Sequence, residues 1–302
     1  MQLAAWLADA RARTGWDAAV FERALFHGGL HLEGRPHGAG ELPPEVGAGV
    51  RVDAYAFAWE PEPVPFAAGR ILLERADWMA VDKPAWLPTQ ATRASRRLSL
   101  EALLRALTGC DSLVAVHRLD RETSGVAVLA KNAAAAARLG RVFAAGAVRK
   151  RYLALVAPAP ARAAWEVSGF LGRVLDPRRY RFALRGDPEA GFRWSHTRFR
   201  RLASAGGVAL VAAEPVTGRT HQLRAHLAAA GTPIAGDVVY GGAPAGRLQL
   251  HAAALAFELD GEAISLAAPL ASDLEPAFGS LQRRGAGATV RPPRYGSRPR
   301  AR

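Results

Sequence analysis

The sequence predicts an α+β fold, a mixed and largely antiparallel sheet flanked by helices, preceded by a small N-terminal α/β unit. Three observations carry this prediction. Between Arg70 and Pro276, strand-like segments outnumber helical ones. They do not alternate with helices in the regular βαβ order that a parallel sheet requires. A proline-rich stretch, EPEPVPF, separates this body from residues 1–60, whose pattern is helix, helix, strand.

Taken in order, residues 1–30 have helical spacing, with Leu3, Trp6, Leu7 and Ala10 on one face and Val20, Ala24 and Leu25 on another. Gly28 and Gly29 break the helix. HLEG and VRVDAYAF read as short strands, Val50, Val52 and Ala54 alternating along the second. Residues 61–69 form a linker, because proline fixes φ and keeps the chain extended. In the body, 70–275, ILLERADWMAVDKP reads as two strands around a turn and SLEALLRAL (99–107) as an amphipathic helix. GVAVLAKN is a buried strand, and AAAARLGRVFAAG (134–146) is a helix ending at Gly146. RKRYLALV, TRFRRL, VALVAAEPV and LQLHAAALAFEL are strands, and HQLRAHLAAAG is a helix stopped by Gly231. Residues 276–302 carry seven arginines and no acidic residue, so they are expected to be a basic disordered tail, ordered only on a polyanion.

The formal net charge of +13 favours a polyanionic partner, since neutralised phosphates release counterions. The charge is almost entirely arginine, with lysine only at Lys83, Lys131 and Lys150. Cys110 is the only cysteine, which excludes an internal disulfide and cysteine-based zinc sites. The N-terminal segment, with Asp9, Arg11 and Arg13 inside its apolar pattern, lacks the uncharged core of a signal peptide. No stretch approaches the ~20 apolar residues of a membrane span. A cytoplasmic protein is expected.

Three segments carry chemistry. In VHRLDRETSGVAVLAKN (116–132), Asp120 stands between Arg118 and Arg121 just before a buried strand. Neighbouring guanidinium groups favour the charged form of a carboxylate, which can then act as nucleophile or general base. In TGRTHQLRAHLAAAGTPIAGDVVYGG (217–242), Gly218 allows a tight turn, Thr220 is a candidate helix cap, and Arg219 stands at the helix entrance. His221 and His226 are five apart, about 140° around a helix, so they do not converge on a metal. In VRKRYLALV (148–156), Tyr152 follows Lys150 on a strand, where its ring can stack on an unpaired base. A further stretch, DPRRYRFALRG (176–186) with FRWSHTRFRRL (192–202), interleaves aromatics with arginines as single-strand binders do.

HRLDRETSG, then K-x-Y, TGRTHQLR, GTPIAGDVVYGG and LQLHA, opened by VDKPAWLPT (81–89), resembles the RluA-type RNA pseudouridine synthase family in order from about residue 70 to 270. Trp86 stands where the family usually has glycine, and Gln90 and Ala91 replace a histidine-containing stretch. Residues 1–60 resemble, loosely, a diverged ribosomal-S-four-like RNA-binding domain. The resemblance implies a pseudouridine-synthase-like fold and Asp120 as the catalytic residue. It implies Tyr152 as the base-stacking tyrosine and Arg219 as the arginine that pairs with the aspartate. Arg118, Lys150 and Leu250 are the further substrate-binding positions. It also implies an isomerase acting on uridines of ribosomal or transfer RNA without metal or organic cofactor. A monomer with no obligate protein partner is the default expectation. A non-catalytic RNA-binding or ribosome-assembly factor on the same fold is the alternative, separated by a turnover assay. A nucleoside hydrolase needs paired carboxylates, and only Glu122 lies near Asp120 in sequence.

Overall fold

The computed structural model describes residues 3–37, 43, 45, 47, 49–55, 64–93, 95–175 and 180–284. The chain forms two compact units, Met1–Ala68 with Trp86–Leu113, and Gly69–Ala85 with Val114–Arg302. Residues 86–113, which the sequence counts within the 70–275 body, thus pack with the N-terminal segment. Residues 61–63 of the 61–69 linker lie outside the described residues; 64–67 carry no regular element, and Ala68–Arg70 form a single 3-10 turn.

The first unit contains α1 (Leu3–Thr14), α2 (Ala18–His27), β1 (Leu30–Leu32), β2 (Arg35–His37), β3 (Val52–Ala54) and α3 (Leu100–Thr108). Asp17 caps α2 by accepting from the Val20 amide at 2.8 Å, and Gly28 ends it in the left-handed conformation. β1 is the central strand of a three-stranded antiparallel sheet. The HLEG segment divides into β1 and a turn at Glu33–Gly34, both with positive φ, the geometry of a tight hairpin. Trp6, Phe21, Leu30 and Leu32 form one apolar cluster of the unit, and Leu87, Leu100, Leu104 and Leu113 are buried as well. Ser99 caps α3, and Gly109 closes it.

The second unit contains β4 (Ile71–Glu74), β5 (Trp78–Lys83), β6 (Val114–Ala115), β7 (Ser124–Ala130), α4 (Ala133–Ala144), β8 (Arg149–Val156), β9 (Ala164–Val174), β10 (Arg181–Arg185), β11 (Arg193–Ala205), β12 (Val208–Pro215), α5 (Gln222–Ala229), β13 (Leu250–Leu259), β14 (Glu262–Ala267) and α6 (Glu275–Arg284). The 11-stranded sheet runs β10-β9-β11-β12-β8-β13-β7-β5-β4, with β14 on β13 and β6 on β7. Every named pair is antiparallel except β13 with β7. That parallel pair brings the segment entering β7 beside the start of β13. The backbones meet so closely there that a Cβ on Gly125 would lie 2.2 Å from the Ala252 carbonyl oxygen, and its φ is +111°. Only glycine fits this position of the HRLDRETSG segment.

Successive residues of β8 point to opposite faces. Ala154 and Val156 meet α5 through Leu223 and Leu227. Leu153 and Leu155 meet α6 through Leu274, Phe278 and Leu281. α6 corrects the sequence reading, which places a disordered tail from residue 276. Phe278 is fully buried, with Leu274 and Leu281 buried in the same cluster; burying side chains of that size stabilises by roughly 1.5–3 kcal/mol each, which together offset much of the entropy of ordering the helix. Residues 285–302 lie outside the described residues. Among the described residues, no helix is long and apolar enough to cross a membrane.

Candidate active site

The mouth of the β7–β13 pair opens into a cleft of about 600 Å³. Asp120, Tyr152, Arg219, Arg118, Lys150 and Leu250, the six positions marked in the sequence, all line it. They come from three directions: Asp120 and Arg118 from the segment before β7, Lys150, Tyr152 and Leu250 from β8 and β13, and Arg219 from the turn before α5.

The segment carrying Asp120 is pinned from below. Lys83, fully buried, donates to the carbonyls of Pro84 at 2.8 Å and Arg121 at 3.2 Å. Arg247, also buried, donates to the Glu122 carbonyl at 3.1 Å and to Ser124 Oγ at 3.2 Å. Burial lowers the Lys83 pKa to about 7, against the opposing charge of Asp120. The buried side chains of Lys83 and Arg247 therefore fix the backbone just after Asp120 on both sides of the turn, which is closed by the Thr123 amide on the Asp120 carbonyl at 3.0 Å.

The arginine paired with Asp120 is Arg224, not Arg219. Arg224 Nη1 lies 3.4 Å from Asp120 Oδ2. Its Nε and Nη2 form a two-pronged pair with buried Asp237 at 2.7 and 2.8 Å. Burial opposes the charge of Arg224, but the hydrogen bonds and charge of Asp237 outweigh it and raise the pKa. Asp237 Oδ1 also accepts the amides of Val239 and Tyr240, both at 3.1 Å, so Arg224 is held by a carboxylate that is itself locked. Arg219 Nε instead donates to the Trp194 carbonyl at 3.1 Å, and the Arg219 amide donates to Gln222 Oε1 at 2.9 Å.

The helix starts one residue later than Thr220 as cap requires. His221 occupies the cap position of α5, with φ +56° and no capping side-chain bond. Its Nε2 accepts from Arg224 Nη1 at 3.1 Å and stands 3.9 Å from Asp120 Oδ2. Because arginine only donates, the proton of the neutral ring sits on Nδ1, which faces the Tyr240 hydroxyl at 3.2 Å. Burial lowers the His221 pKa to about 4 despite the Asp120 charge, so the ring is neutral at neutral pH. His226 faces elsewhere and meets Ser195 Oγ at 2.9 Å. Among the described residues, no group of three or more His, Cys, Asp or Glu converges as metal ligands do.

Tyr152 packs against the apolar cluster under α5. Burial, and secondarily the Asp120 charge, raise its pKa, so the phenol stays neutral. Lys150 Nζ lies 5.6 Å from the Phe143 ring centroid, and burial lowers its pKa. His117 of HRLD is half-buried in the cleft wall: its Nε2 accepts the Val128 amide at 3.1 Å and its ring stacks on Phe143. Sequence reasoning missed Arg224, His221 and Asp237 as a connected group. HQLR and GDVVY both stand in the quoted motifs, but spacing alone does not say which of two arginines five residues apart reaches Asp120.

The model of the family described as RNA pseudouridylate synthase matches residues 77–229, just over half of the chain. An uncharacterized RNA pseudouridine synthase of Zymomonas mobilis is 38% identical over 216 residues, 68% of this chain and 96% of that protein. The ribosomal large subunit pseudouridine synthase C of Yersinia pestis is 37% identical over 187 residues, 56% of this chain and 55% of its own length. The solved structure of human RNA pseudouridylate synthase domain containing 1 is similar with a TM-score of 0.59 and 28% identity, covering 70% of this chain and 90% of that one. The chain belongs to the RNA pseudouridylate synthase family, in its RluA-type branch. Its mixed sheet with flanking helices is the pseudouridine synthase fold, and its class of activity is that of an isomerase.

Proposed function

We propose that this protein isomerises specific uridines of structured RNA to pseudouridine, with Asp120 as the catalytic carboxylate and ribosomal RNA as the substrate. The observation that supports this most directly is the convergence of the six sequence-marked residues on one cleft, with the Asp120 carboxylate held 3.4 Å from a buried arginine. The glycosidic bond breaks, the uracil turns, and it rejoins the ribose through carbon 5. Composition and oxidation state do not change, so the reaction needs no cofactor. A stacked base is out of reach of a recessed carboxylate, so the uridine enters flipped out or already unpaired. Tyr152, a neutral ring on a rigid strand, stacks against it, above the apolar surface of Leu250. Arg224 holds Asp120 oriented and supplies positive charge. Asp120 attacks the sugar or base, or takes a ribose proton.

Arg118, Arg219 and Lys150 surround the mouth, where they meet the RNA backbone. The arginine-bearing strands β9–β11 extend that grip. The ribosomal substrate rests on the chain's basic charge and on the name of the Yersinia relative; transfer RNA is the other outcome of the test. The protein acts in the cytoplasm as a monomer. Asp120→Asn removes the charge and keeps the shape, so turnover falls below detection while RNA binding stays within about twofold, a shift under ~0.5 kcal/mol. An active Asp120→Asn variant overturns the assignment. Mapping pseudouridines across total RNA from cells with and without the gene identifies the substrate.

A further inference from the structure

One wall beside the cleft carries an aromatic ring that the isomerisation leaves unused. Tyr180, the residue before β10, is 54% exposed. Its ring is not loose. Arg173 of β9 stacks on it, with Cζ 4.8 Å from the centroid. Phe182 meets it edge-on at 5.3 Å, and His221 at 5.8 Å. Both neighbours are anchored, Phe182 through its amide to the Tyr240 hydroxyl at 3.0 Å and His221 through Arg224. His221 in turn stands 3.9 Å from Asp120. A single ring therefore separates Tyr180 from the carboxylate.

The charges nearby are also distinctive. On the same three strands, Arg185 pairs with Glu189 and Arg198 with Glu166. Among the described residues, neither Arg173 nor Arg181 has a carboxylate within ion-pair distance. A rigid ring backed by a guanidinium group, with a second guanidinium, that of Arg181, nearby over the Tyr240 ring at 5.7 Å, suits a nucleobase and its phosphate. A packing role for Tyr180, as a lid over Phe182 and His221, needs only bulk, and leucine supplies that.

We propose that Tyr180, stacked with Arg173, is the platform for the base next to the target uridine, with Arg173 and Arg181 on the flanking phosphates. Flipping the uridine takes a stacking partner from its neighbour, and the Tyr180 ring replaces it. This rests on the reading of the cleft as the uridine site of an RNA.

The test uses the full chain and a hairpin RNA with one loop uridine, flanked by the fluorescent base 2-aminopurine on its 5′ or its 3′ side. Binding to the wild-type chain quenches the probe on one side only. Tyr180→Leu weakens binding about tenfold, within the usual range for a base stacked on an aromatic ring, and abolishes the quenching. Tyr180→Phe keeps both. An abasic site in place of the stacked base costs the wild-type chain about tenfold and costs Tyr180→Leu nothing more. The platform is overturned if the abasic site costs both proteins equally, or if quenching survives in Tyr180→Leu. If the hairpin binds and Asp120→Asn alone stops isomerisation, that failure is confined to the platform. If the wild-type chain binds no hairpin, the RNA reading fails and takes the platform with it.

Discussion

Arg224 and Arg198 are both paired with carboxylates in the same unit, yet their surroundings give the two pairs different weight. The Arg224 side chain is 9% exposed and that of Asp237 is fully buried, and the pair is bidentate, with two backbone amides completing the carboxylate. Arg198 and Glu166 are 60% and 57% exposed, joined through one guanidinium nitrogen, with His196 sharing the carboxylate. In water the attraction is screened and holding two long side chains costs entropy, so an exposed pair contributes 0–1 kcal/mol. Breaking a buried pair strands a charge without solvent, which costs ~3–5 kcal/mol. The buried arginine is therefore a rigid fixture under Asp120, whereas the exposed ones remain available to a polyanion. Net charge counts both alike.

The largest effect that could break this contrast comes from Asp237→Asn. It leaves Arg224 charged and half-satisfied, and the unfolding free energy in urea should fall by ~3–5 kcal/mol, with turnover falling as well. A loss no greater than that of Glu166→Gln would remove the distinction. Next comes the division of labour between Arg224 and Arg219. Arg224→Lys keeps charge but loses the two-pronged hold, and the rate constant should drop on the order of 100-fold, a loss typical of one misplaced group in a preorganised site, with RNA affinity unchanged. Arg219→Lys should weaken RNA binding and leave the rate constant nearly intact. Single-turnover kinetics against binding titration separates the two.

A smaller effect is set by pH. Burial lowers the pKa of His117 to about 3 and those of His221, His226 and His251 to about 4, from 6.5 in the unfolded chain. Between those limits the unfolded chain binds more protons, so the share of stability that these four rings carry is full above pH 6.5 and is lost as pH falls towards 4. Urea midpoints across that window should decline, and His226→Gln should make the decline shallower. A midpoint independent of pH there would mean that these rings are charged in the fold. The smallest effect belongs to the outer strands, where Glu166→Gln should change stability by less than ~1 kcal/mol, and the change should vanish in high salt.

Much of the fold was legible because local rules and tertiary packing agree. α3, α4 and α5 lie where apolar spacing and glycine stops place them, and β5, β7, β8, β12 and β13 fall on their apolar runs. β9 was missed because Gly169 and Gly172 interrupt its alternation; Phe192 packs on the open face of Gly172. β14 was missed although Ile264 and Leu266 alternate inward and the Asp260–Gly261 turn is a regular hairpin signal. α6 was missed because the arginine-rich run beyond it outweighed Phe278 and Leu281. Trp86 adopts φ +68°, which explains why glycine is usual at that place in the family without explaining why this chain has tryptophan there.

By itself the sequence determined the family, the six positions that line the cleft and the order in which their elements follow one another. Those are properties of residue types at fixed spacings in long, specific segments. Which arginine meets Asp120, which histidine stays neutral beside it, and that Asp237 locks the pair were decided only in three dimensions. A one-residue change in where α5 begins turns its side chains by about 100°, and burial, which spacing does not encode, sets the strength of every charge that results.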